Sequence, residues 1–250
     1  MVRLLYTEIL KLKRSYMLLI TLAGASVSPF INFLMFKAIE RLDMDEVNNV
    51  AVIDFPTYAD QTNFFIILII GVMLYGLLTT YSFSREYQDD TLKSLLIIPI
   101  NRTMFIISKC LLVFIWIMFL TIYTLGLSMV FALLGGFAGI NVTNILQVGK
   151  VYLLTGFMMF LLVMPLMLLT SILKSYVASV AFTIGIVIVN LVIMNSEFLA
   201  IYPWSAPLRI VNPLINVATF PYWYSWVAIL ITGFLGILLT IIYFNRQDIQ

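Results

Sequence analysis

Six long apolar runs, a shortage of charge and the lack of strand-like alternation together predict an all-α integral membrane protein. The expected architecture is six transmembrane helices, an interfacial amphipathic helix at the N-terminus and a short helix on the cytoplasmic side. Of the 250 residues, 62% are hydrophobic and only 10% charged, with a mean hydropathy of +1.07; a soluble domain carries about 25% charge. A folded chain of this length keeps too much surface exposed to hide so many apolar side chains, so the surplus faces hydrocarbon. A spanning β-barrel is written in short segments that alternate apolar and polar residues. These runs are apolar on every face, as lipid-embedded helices are.

The elements follow in chain order. Residues 3–15 read as an amphipathic helix: Arg3, Thr7, Lys11 and Arg14 recur at spacings of four and three, while Leu5, Ile9 and Leu12 occupy another face. Such a helix lies in the cytoplasmic interface with its bases toward the headgroups of membrane lipids. It is not a cleavable signal, because no small-residue cleavage pattern follows a short apolar core. Spans are expected near 16–36, 63–83, 108–134, 148–172, 176–198 and 226–244, each close to the ~20 residues that cross a bilayer. Only Lys174 and Ser175 separate the fourth and fifth runs, which predicts a tight helical hairpin. Pro165 interrupts the hydrogen-bond ladder of the fourth and predicts a kink. With no internal repeat and no linker, residues 1–250 form a single domain.

Orientation follows from the basic residues of the short loops. Arg3, Lys11, Lys13, Arg14, Arg85, Lys93, Arg102, Lys109, Lys174 and Arg246 fall on one side, and Lys37, Arg41, Lys150 and Arg209 on the other. The richer side is cytoplasmic, so both termini are expected there, and the acidic stretch 37–62 outside.

Several function classes are excluded or disfavoured. Histidine is absent and Cys110 is the lone cysteine, which leaves no metal-ligand cluster and no intramolecular disulfide. There is no phosphate-binding GxxxxGK[ST], and no GxSxG, HExxH or GxGxxG, so no catalytic residue is assigned. The net charge of +2 gives no field for nucleic acid. Proton-coupled carriers need buried acids in their spans; the nearest candidate, Glu197, sits at the outer end of the fifth run and reads as an interfacial acid.

The segment from Ser84 to Arg102 gathers six charged residues, Arg85, Glu86, Asp89, Asp90, Lys93 and Arg102, between two spans. Asp89 or Asp90 is placed to cap a short helix, and Leu92, Leu95 and Leu96 share one face. Pro99 ends that helix by forcing its predecessor out of helical geometry. The product, about 86–98, offers leucines for a partner's groove and charges for its rim.

Glu86–Arg102 resembles the coupling-helix signature of type-2 ABC-transporter permeases, roughly E-x-x-x-G-T-x-x-x-L-x-x-x-P-x-x-R. Glu86, Thr91, Leu95, Pro99 and Arg102 match in register, and Asp90 stands where the family usually has glycine. Chain length, interfacial helix and six spans fit the same family; within it, the chain is similar to Gram-positive permeases exporting antimicrobial or toxin peptides, including bacitracin-resistance and lantibiotic-immunity systems.

The resemblance implies a permease subunit of an ATP-driven exporter in the cell membrane. It pairs with a second permease, identical or related, and with two ABC ATPase subunits that contact Glu86, Asp90, Thr91, Leu92, Leu95, Pro99 and Arg102. ATP and Mg would bind the ATPase partner, and hydrolysis would occur there. The cargo is expected to be amphipathic or hydrophobic, because the lining is apolar and poor in charge.

The segment 199–225 mixes four prolines with six aromatics. Family comparison suggests short re-entrant helices with Trp204, Tyr222 and Trp223 at an outer gate; an ordinary aromatic belt explains the same composition. A non-transporting anchor or sensor, or an ion-coupled carrier, remains the alternative function.

Overall fold

The computed structural model describes residues 7–8, 10, 15–43, 54–88, 102–212, 215 and 220–246. Eight α-helices follow in order among these residues: α1 Met17–Asp43, α2 Phe55–Phe65, α3 Gly71–Gln88, α4 Arg102–Gly135, α5 Val142–Leu173, α6 Tyr176–Ile193, α7 Ala206–Val211 and α8 Trp223–Arg246. A π-helical turn, Ile66–Ile70, joins α2 to α3 in one continuous rod, and a 3-10 turn, Glu197–Ala200, precedes α7. Six helical segments are long and apolar enough to cross a membrane, as the hydropathy pattern predicts. Among the described residues no strand forms, and the single bridge pairs Asp54 with Ala138.

The boundaries move where capping chemistry overrides hydropathy. The second span begins at Phe55, well before residue 63, because the Asp54 carboxylate accepts the Thr57 amide (3.0 Å) and Pro56 occupies the first turn. Its early turns hold Tyr58 and Thr62, which hydropathy reads as loop, and Asn63, the expected first residue of the span; the bundle buries all three. Much of the expected 37–62 loop is therefore helix at both ends. The third span starts at Arg102 rather than 108, and the fifth stops at Ile193 rather than 198. The short hairpin forms as expected. Lys174 takes φ 50°, the left-handed conformation that closes many helices, and donates its N–H to the Thr170 carbonyl (2.9 Å). Ser175 caps the next helix.

Helix α5 is the central element, packed against α3, α4, α6, α7 and α8. Met158, Met159, Leu162, Met164 and Leu166 are fully buried along it. Lipid tails are as apolar as leucine, so close packing and hydrogen bonds hold such helices together rather than water exclusion. Both are visible. A Cβ on Gly236 would lie 2.6 Å from the Pro165 nitrogen. One on Gly233 would meet Leu161, including its carbonyl oxygen at 3.2 Å, the acceptor that Pro165 deprives of its helical donor.

A polar seam ties the same bundle together. Ser28 Oγ donates to the Thr62 carbonyl (2.9 Å), Tyr58 to the Pro29 carbonyl (2.6 Å), and Tyr152 to the Ala59 carbonyl (3.0 Å). Asn63 Nδ2 reaches Thr155 Oγ1 (2.9 Å). Asn190 Nδ2 reaches the Leu68 carbonyl (3.2 Å), inside the π-helical turn. Such bonds contribute roughly 0.6–2 kcal/mol each in membranes, enough together to fix the rotation of α1, α2 and α5.

Candidate functional site

The end of the bundle that carries the 89–101 connection holds a buried ion cluster. Lys109, in the second turn of α4, is 0% exposed; Glu8 and Glu86 are 7% and 3% exposed. Lys109 Nζ donates to Glu8 Oε2 (2.9 Å), to Glu86 Oε1 (3.0 Å) and to the Ser82 carbonyl (2.9 Å). A lysine ammonium has three protons, and all three are used. The rings of Phe83 and Phe105 flank it, 5.6 and 5.3 Å from Nζ to the ring centres, and add cation–π attraction in a dry setting. Removing an ion from water costs several kcal/mol, offset here only because two carboxylates and a carbonyl surround the ammonium. The cluster joins the N-terminal segment, the last turns of α3 and the first turns of α4 at one atom.

This geometry relocates several residues. Lys109 is not a loop base but an interior cation. Glu8 sits among the helical residues of the N-terminal segment and faces the bundle, so the protein itself holds that segment at this point. Glu86 lies in the last turn of α3 and is directed inward; residues 86–88 continue the spanning helix. Asp90, Thr91, Leu92, Leu95 and Pro99 lie outside the described residues. Arg102 opens α4, and its side chain lies outside the described set too. The motif's two ends are thus the two helix termini between which the connection hangs.

A family profile described as "ABC-2 family transporter protein" matches residues 4–190. The chain belongs to the ABC-2 transporter family. It is also 39% identical over 194 residues to a bacitracin transport permease protein of Bacillus licheniformis, an alignment covering 78% of this chain and 92% of that relative. This ABC-2 permease is therefore a multi-pass membrane subunit of the transporter class that its inner-loop motif resembles.

At the opposite end of the permease, the segment after α6 folds into the 3-10 turn and the six-residue α7, with Pro207 in the first turn. Arg209, on α7, is buried and donates to the carbonyls of Phe220 (2.6 Å) and Pro221 (3.3 Å). Tyr222 donates to the Ile210 carbonyl (3.3 Å). These bonds tie α7 to the start of α8. Trp204 is half-buried against the main core beside Tyr202, with ring centres 5.7 Å apart. Tyr222 and Trp223 are 49% and 56% exposed. The three expected gate residues thus divide into one inward indole and two outward rings.

Sequence reading missed the ion cluster and the asparagines of the polar seam. One signal was available: Glu8 is the lone acid among Arg3, Lys11, Lys13 and Arg14. Nothing in the local pattern tells that its partner lies 101 positions away.

Proposed function

We propose that this chain is the permease subunit of an ATP-driven exporter, pairing with a second permease and with two ATPase subunits that dock on Glu86–Arg102. Both termini and that connection face the cytoplasm. ATP and Mg bind the ATPase partner, where hydrolysis takes place, and the permease converts the resulting motion into exposure of the path to the outside. The cargo is an amphipathic or hydrophobic molecule such as an antimicrobial peptide; the relative named for bacitracin transport makes bacitracin the first candidate.

The observation that carries this reading is the anchoring of Glu86. The first residue of the motif is fixed by Lys109 inside the bundle, so displacement of the 89–101 connection reaches the N-terminal segment, α3 and α4 together. Leu95 would occupy the ATPase groove, and Asp90, Thr91, Leu92 and Pro99 would shape the helix that presents it. Trp204, Tyr222 and Trp223 would gate the exit.

The test is co-purification. Leu95→Asp puts an unpaired charge into an apolar groove, which costs several kcal/mol, so the tagged permease should insert normally and lose its ATPase. A Leu95→Asp protein that retains the ATPase and still exports bacitracin would make the connection a passive loop.

A further inference from the structure

A cavity of about 260 Å³ opens between α2, α5 and α7, at the end of the molecule away from the ion cluster. Its inner wall is apolar, made by Ile67, Val148, Val151 and Leu208. Its polar wall is built from Asp60, Asn144, Gln147 and Asn212. One N–H of the Asn144 amide is committed to the Gly139 carbonyl (2.8 Å), which leaves its oxygen and its second N–H to offer. Asp60 is exposed and has no hydrogen-bond or ionic partner among the described residues, and the carboxylate of Asp54 acts on it electrostatically. Lys150, three positions beyond Gln147, forms no ion pair with it. Asp60 is the one charged side chain among the described residues that line the cavity, and its carboxylate disfavours an anion there. The apolar inner wall offers nothing to a sugar or a hydrated metal ion.

We propose that this cavity binds a group joining an apolar body to a primary amine, with the ammonium at Asp60 and the body against Val148, Val151 and Leu208. Because α7 forms one wall, an occupant also touches the segment that ends the path. That the occupant is exported cargo rests on the transport reading above; the binding chemistry does not.

Tryptamine and its uncharged counterpart tryptophol are suitable probes, measured by calorimetry on the purified chain in nanodiscs with empty nanodiscs subtracted. A partly exposed charge pair contributes up to ~1 kcal/mol, so tryptamine should bind about three- to fivefold more tightly than tryptophol. Asp60→Asn should abolish that preference while leaving tryptophol unchanged, and Val151→Trp, which fills the cavity, should weaken both. Equal affinity for the two probes, or a preference that survives Asp60→Asn, would overturn the assignment. Should Val151→Trp fail to insert, the Asp60 comparison still decides. No ATPase is needed, so a permease that binds amines yet recruits no ATPase keeps the site and refutes the exporter, whereas lost amine preference does the reverse.

Discussion

At the scale of single residues, Lys109 is the side chain whose replacement should cost most. Lys109→Met keeps the length and removes the charge, taking from Glu8 and Glu86 the buried cation that they share. Breaking a buried pair in this way costs about 3–5 kcal/mol. Glu86→Gln retains an acceptor for the ammonium while Glu8 still neutralises it, so its cost should be about 1 kcal/mol or less. Thermal inactivation midpoints of the purified variants should therefore rank parent, Glu86→Gln, then Lys109→Met by a wide gap. Equal losses would mean that the two carboxylates do not share the lysine. The residues of this cluster are ordinary in sequence. Lys109 reads as one more base near a span end, and Glu86 reads as a rim charge, because a linear pattern shows spacing along a helix and not pairing across 23 or 101 positions.

At the scale of elements, α5 and α8 come close enough at Gly233 and Gly236 for backbone of one to approach backbone of the other. Gly236 faces the Pro165 nitrogen and the Met164 carbonyl carbon, 2.6 and 2.8 Å from where a Cβ would stand. Neither atom can swing aside. Gly236→Leu should separate the helices and destabilise the permease by roughly 1–3 kcal/mol or more, read as a lower midpoint of thermal inactivation. Gly126→Ala in α4 is the control, since nothing lies within 4 Å of its Cβ position and alanine favours helix by about 1 kcal/mol. If both substitutions behave alike, close approach is not what holds α8. The elements themselves were largely legible: all six spans, the Lys174–Ser175 hairpin and the proline-broken outer segment follow from hydropathy and turn chemistry. Their ends were not. Asp54, Tyr58 and Thr62 look like loop residues until capping and interhelical hydrogen bonds give them a place at the start of α2.

At the scale of the whole molecule, the topology proposed above, with both termini cytoplasmic, rests on the ten-to-four distribution of basic residues. In a Cys110→Ser background, Asp54→Cys should react with a membrane-impermeant maleimide on intact cells and Asp89→Cys should not. The opposite labelling would invert the molecule and move the amine site to the cytoplasm. The two ends also differ in how they are built. One is fixed by an ion cluster, the other by Arg209 and Tyr222 bonded to main-chain carbonyls, and α5 runs between them over 32 residues, about 48 Å of helix.

The ion cluster also sets an order of assembly. Glu8 leaves the ribosome 101 residues before Lys109, a delay of roughly 5–20 s at typical rates of synthesis. Through that interval Lys109 is not yet there for Glu8 to meet. Two spans are made before the lysine emerges at the head of the third. Docking of the first-made segment is therefore a late event, and it closes the charged end of the bundle only after the third helix has begun to enter the bilayer.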